Sequence, residues 1–133
     1  SDPVAAFAAM ARLVERGGHL LLRVPIADGW ARRHYGSDWV QLDAPRHLHL
    51  PTRRAVEILA AGCGLRLLQT VDDSGPFQIW GSELYRRDIA LSGPGRSGRG
   101  ALPWWIRARA RLGARWLRRR GLGDQACFYL RRQ

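Results

Sequence analysis

The residues best suited to chemistry lie between positions 30 and 50. His47 and His49 stand two apart in Arg46-His47-Leu48-His49-Leu50, a run that alternates at period two. An extended segment of that kind turns both imidazoles to one face. Imidazole titrates near neutrality, so His47 is a candidate general base or hydrogen-bond partner for a substrate. Asp43 and Arg46 sit just upstream in a loop and are candidates to orient it; with His49 they are candidate substrate contacts. The same residues admit a plainer role, in which Asp43, Arg46 and His47 tie the loop down by hydrogen bonds and ion pairs. A metal site from His47, His49 and His34 lacks a completing carboxylate or Cys at useful spacing, so no metal is expected. Tyr35 and Trp39, with Trp30, are candidate walls of a substrate pocket, because aromatic rings stack on sugars and other flat molecules; they would serve equally to pack an insertion onto a sheet. Cys63 and Cys127 read as small buried hydrophobes.

A second cluster lies in the stretch 103–120. At about 100° per residue, Trp105, Leu112 and Trp116 gather on one side, extended by Ile106 and Leu117. Arg107, Arg111, Arg115 and Arg118 gather on the other, while Arg109 and Arg120 break the apolar arc. A helix of this type is read in three ways. It packs on its own domain, it lies on a membrane surface with Trp105 and Trp116 at headgroup level and Arg111, Arg115 and Arg118 on phosphates, or it contacts nucleic acid. The aromatics form a face rather than alternating with Arg as stacking platforms, which argues against RNA.

Composition bounds the rest. The chain has 133 residues, enough for one compact domain, with 46% hydrophobic and 25% charged residues. No apolar run is long enough for a transmembrane helix and no signal peptide is visible. Two cysteines make neither a disulfide framework nor a four-cysteine zinc site, so a reducing, cytoplasmic setting is expected. All 22 basic residues are Arg, against 11 acidic ones. Residues 1–85 hold nine Arg and nine acidic residues, whereas residues 86–133 hold thirteen Arg and two Asp, and so carry the whole net charge of +11. The last third therefore prefers anionic surroundings.

The elements that must position these residues follow an α/β pattern. Asp2-Pro3 starts a helix that Gly17-Gly18 stops. His19 to Val24 is nearly continuous in apolar residues and reads as a central parallel strand covered on both faces. A short helix spans Gly29–Tyr35. Arg53 to about Ala61 is a helix, Leu65–Val71 a strand, and Trp80–Leu91 a further helix. Ser92 to Gly100 is a Gly-rich loop, and Ala126–Leu130 the last strand. Three strands make a poor sheet for so apolar a run as His19–Val24, so partner strands are expected on its N-terminal side.

These residues also carry a family likeness. Leu13-Val14-Glu15-Arg16-Gly17-Gly18-His19-Leu20-Leu21-Leu22-Arg23-Val24-Pro25 resembles the L-x-P-G-G-x-L-hydrophobic-P segment of class I S-adenosylmethionine-dependent methyltransferases, with Arg16 in place of the Pro. Tyr35-Gly36-Ser37-Asp38-Trp39 and Leu42-Asp43-Ala44-Pro45-Arg46-His47-Leu48-His49-Leu50 resemble the W-x-x-L-D-x-P-R-H-L stretch of a bacterial small-molecule and glycan-pathway subgroup. Gly64-Leu65 is similar to the opening of that fold's sixth strand. The resemblance implies the C-terminal part of a Rossmann-like methyltransferase sheet, strands five to seven with the last antiparallel, and a helical, Arg-rich insertion over 76–122 within one partial domain. It implies methyl transfer from S-adenosylmethionine to a small or lipid-linked acceptor, a reaction in which His47, by its residue type, is the candidate base. The Gly-rich turn that would hold the cofactor is missing from this chain, so the cofactor site is expected mostly in an N-terminal half, and the chain alone is expected to be inactive. A different class of reading is a non-catalytic basic module that keeps the scaffold and binds anionic membrane or RNA.

Overall fold

The computed structural model describes residues 2–43, 46–93 and 96–133. Helix α1 (Pro3–Leu13) begins where the Asp2 carboxylate accepts from the Val4 amide at 2.9 Å, with Pro3 in the first turn. The chain then turns at Gly17 and enters β1 (His19–Pro25). A short helix α2 (Trp30–Tyr35) and two 3-10 turns carry the chain across the end of the sheet. Helix α3 (Arg53–Gly62) is capped by Thr52, whose hydroxyl accepts from the Ala55 amide at 3.1 Å, and a left-handed Gly64 turns it into β2 (Leu65–Asp72). Helix α4 (Phe77–Tyr85), a two-stranded hairpin of β3 (Ser92–Gly93) and β4 (Arg96–Ser97), and helix α5 (Trp104–Arg119) separate β2 from β5 (Gln125–Arg132).

Strand β5 lies between β1 and β2 and runs antiparallel to both. Leu20, Leu22 and Val24 of β1, Ala126, Phe128 and Leu130 of β5, and Leu65 and Leu67 of β2 point to one face, where Phe7 and Ala11 of α1 and Val56 and Ala60 of α3 close the core. The period-two alternation puts Leu21 and Tyr129 side by side on the opposite face, 57% and 43% exposed.

Three expectations need correction. The His19–Val24 run forms a strand, but among the described residues it is a border strand with one antiparallel neighbour, not a central parallel one. Its apolar content serves one covered face through Leu20, Leu22 and Val24, while His19, Leu21 and Arg23 are exposed. The alternating run 46–50 forms no strand, and His47 is half-buried while His49 is exposed. The helix placed at Trp80–Leu91 starts three residues earlier and ends at Tyr85, where Asp88 adopts a left-handed φ of 59°.

Candidate functional site

In open α/β sheets, ligands collect at the carboxyl ends of the strands. Here the carboxyl ends of β1 and β2 and the start of β5 meet in one polar knot. Arg53 donates to Asp28 at 2.6 Å, to Asp72 at 3.4 Å and to the Gly123 carbonyl at 3.1 Å. Asp72 also accepts from the Gly123 amide at 2.7 Å and the Ser74 amide at 3.1 Å. The fit is tight enough to exclude side chains. A Cβ on Gly123 would meet the Ser74 hydroxyl at 2.1 Å, and one on Gly29 would meet the Gly123 carbonyl at 2.5 Å. This knot fixes where the segments over the sheet's end begin and leave.

The segment 39–47 is pinned at three points. Trp39 is wholly buried, and its indole Nε1 donates to the buried Asp124 carboxylate at 2.9 Å. Burial pushes Asp124 up to about 6, against the opposing pull of the Trp39 hydrogen bond. The Val40 amide donates to the hydroxyl of Ser82 on α4 at 3.0 Å, and that hydroxyl donates back to the Gln78 carbonyl at 2.7 Å. Asp43 takes a left-handed φ of 33°, its carbonyl accepts from the Arg46 amide at 2.8 Å, and its carboxylate pairs with the Arg46 guanidinium at 3.1 Å. Ala44 and Pro45, within the motif the sequence singled out, lie outside the described residues.

The outcome is a cleft of about 600 Å³ between this segment and α4, lined among others by Asp43, Arg46, His47, Phe77, Tyr85 and Ser92. His47 lies 2.9 Å from the Gln41 carbonyl through Nδ1. A carbonyl oxygen only accepts, so Nδ1 carries the proton of the neutral ring and Nε2 carries the lone pair. The cleft thus offers a proton acceptor, a guanidinium and a phenol hydroxyl beside an apolar wall. That set can bind a polar small molecule and take a proton from it.

The remaining candidates are placed elsewhere. Trp39 lines neither this cleft nor its neighbour, its role being to hold Asp124. His49 also lines neither cavity. Tyr35 lines a second cavity of about 360 Å³ with Trp30, His34, Glu83, Arg86 and Arg109. There the Tyr35 hydroxyl donates to Glu83 at 3.1 Å and the Arg86 guanidinium lies 4.6 Å over the ring. Burial and the Glu83 charge hold the Tyr35 phenol well above its ordinary range. Burial works to raise Glu83 as well, but hydrogen bonds from Arg87 and Tyr35 outweigh it and keep the carboxyl low. These groups are spent on one another, so this cavity joins α2 to α4 rather than offering a reactive group. Phe77, Ser82 and Tyr85 were not singled out in the sequence. A polar-apolar alternation in α4 marks no ligand, and only the packing of α4 on the 39–47 segment brings them in.

Burial and Asp73 push the Cys127 thiol up. Among the described residues, no three His, Cys, Asp or Glu side chains gather as a metal ion would require, and no helix is long and apolar enough to cross a membrane.

No family model matches the chain, and no curated protein matches it significantly. A search of solved structures does find a match: a protein of Galdieria sulphuraria assigned as a sarcosine dimethylglycine methyltransferase, with a TM-score of 0.52 and 20% sequence identity, over 99% of this chain and 48% of that one. The likeness shows that the chain shares the fold of about half of that structure. The chain spans about half the length of that structure. The order β1-β5-β2 with an antiparallel β5 between its neighbours is the arrangement the resemblance implied for strands five, seven and six.

Class I methyltransferases hold S-adenosylmethionine on a Gly-rich turn after a strand and an acidic residue at the next strand's end. The strand ends present here correspond to strands five and six of the resemblance rather than to those positions, and they do not fit that group. The turn after β1 has Gly29 pressed against Gly123, and the acidic residue ending β2, Asp72, has its oxygens taken by Arg53, Gly123 and Ser74.

Proposed function

We propose that this chain forms the acceptor-binding side of an S-adenosylmethionine-dependent methyltransferase, and that its cleft binds a small or lipid-linked alcohol, phenol or acidic carbon acid. One observation carries the reading. His47 faces the cleft between the 39–47 segment and α4, with its tautomer set by the Gln41 carbonyl so that Nε2 can accept a proton. In this reading the acceptor's hydroxyl or C–H proton passes to Nε2, Arg46 and Tyr85 orient the acceptor, and Asp43 holds Arg46. The methyl donor is held by strands beyond these residues, an N-terminal half that pairs along the border strand β1 and covers Leu21 and Tyr129. The protein works in the cytoplasm, a setting that suits the free thiols of Cys63 and Cys127.

The test is methyl-transfer kinetics on the chain joined to its N-terminal half. His47→Ala is expected to lower kcat by about 10²-fold or more with little change in acceptor affinity. An unchanged rate with a lower melting temperature would return His47 to a purely structural role.

A further inference from the structure

Helix α5 turns an unexpected face to the protein. Its buried stripe is Ile106, Ala110, Ala114 and Leu117, and the small Ala110, Gly113 and Ala114 let α5 approach α4 closely. Trp104, Trp105, Leu112 and Trp116 point outward, 72%, 46%, 69% and 52% exposed. The apolar arc read from the sequence is therefore split: Ile106 and Leu117 pack inward, and the two larger indoles with Leu112 face solvent. An exposed patch with three tryptophans on one helix is uncommon on a monomer and marks an interaction surface.

The charge around this ridge is of one sign. Between Asp88 and Asp124 the chain holds nine Arg and no acidic residue. Trp104, Arg107 and Arg111 border a shallow hollow of about 290 Å³. Beside it, the Arg107 Nε is buried without a hydrogen-bond partner. Further along, the Arg120 guanidinium lies 5.1 Å over the Trp116 ring, so a cation already sits on the exposed indole.

We propose that α5 docks the protein on a bilayer surface bearing anionic lipid. Trp104, Trp105, Leu112 and Trp116 enter the boundary between headgroups and acyl chains, and Arg107, Arg111 and Arg115 meet lipid phosphates, one of them in the hollow beside Arg107. Indoles favour that boundary because the ring is apolar and the N–H is polar, and an Arg-rich helix lies in the plane of the interface with its apolar side down. Complementary charge selects an anionic surface. RNA is the poorer occupant. It would use the arginines, but an exposed Leu112 between two indoles adds nothing to base stacking. The proposal does not depend on the chemistry of the His47 cleft, and its readout is binding rather than turnover.

The test is co-sedimentation of the full chain with vesicles of phosphatidylcholine alone and of phosphatidylcholine mixed with phosphatidylglycerol, at low and high salt. Binding is expected only with the anionic lipid and is expected to weaken as salt rises. Because Leu112 and Trp116 are exposed, Leu112→Ser and Trp116→Ser are expected to keep the fold, checked by their urea midpoints, and to weaken vesicle binding by about tenfold each. Arg111→Ala together with Arg115→Ala is expected to weaken it by about tenfold or more. Binding indifferent to lipid charge and salt overturns the proposal, as do unchanged affinities in these variants. Two further outcomes overturn it: single-stranded RNA bound in place of vesicles with the same arginine dependence, and a dimer in sedimentation that Leu112→Ser abolishes while vesicles go unbound.

Discussion

Replacing Asp124 with Asn isolates what it costs to hold a carboxylate behind Trp39. Asp124 is buried, its carboxyl accepts from the Trp39 indole at 2.9 Å, and burial raises it from 3.8 to about 6. The folded value lies above the unfolded one. Between about pH 4 and pH 6 the folded state therefore holds a proton that the unfolded state has released, and stability falls as pH rises through that window. A shift of about two units at about 1.4 kcal/mol per unit amounts to about 3 kcal/mol. Asn keeps the shape and still accepts from Trp39 but does not titrate. The stability of Asp124→Asn minus that of the natural protein is thus expected to grow by about 3 kcal/mol from pH 4 to pH 7, whatever its offset at pH 4. Urea denaturation at constant ionic strength, followed by tryptophan fluorescence, measures it. A difference that stays flat across this range, or that shrinks as pH rises, would refute the reasoning and place Asp124 in a better-solvated, better-paired site.

Arg53→Ala is expected to cost about 2–3 kcal/mol in urea melts, because it leaves Asp28 and Asp72 without their shared cation at the end of the sheet, and Arg53→Lys is expected to recover only part, since an ammonium cannot span both carboxylates and the Gly123 carbonyl. Asp43→Asn is expected to stay within about 0.5 kcal/mol of the natural protein, as Asn tolerates the left-handed backbone and the Arg46 pair lies at the surface. Asp43→Ile at the same φ is expected to cost about 1–3 kcal/mol, and equal melts for the two variants would show that the backbone at 43 is not strained.

The local signals read well because they depend on neighbours in sequence. Asp2-Pro3 starts α1 and Thr52 caps α3, whereas the run His19–Val24 reads as covered on both faces and only Leu20, Leu22 and Val24 are covered. The same holds for Asp43, Arg46 and His47, four residues apart on one turn, which share a cleft because the turn itself brings them together. Phe77 and Tyr85 were illegible for the opposite reason. They join the cleft across some forty residues of chain, and only the packing of α4 decides it.

Helix α5 shows the division most plainly. Periodicity alone gives a helix over about 103–120 with Trp105, Leu112 and Trp116 to one side and a heavy positive charge; the structure sets it at Trp104–Arg119. Which side faces the protein was left open, because a hydrophobic pattern records what would like to be buried, not what fits. The tertiary structure chose Ala110, Gly113 and Ala114. A Cβ on Gly113 would already lie 2.9 Å from Ile79 of α4, and at that separation an indole has no room. Close packing, which rewards contact only between shapes that match, sent the larger apolar side chains to the surface.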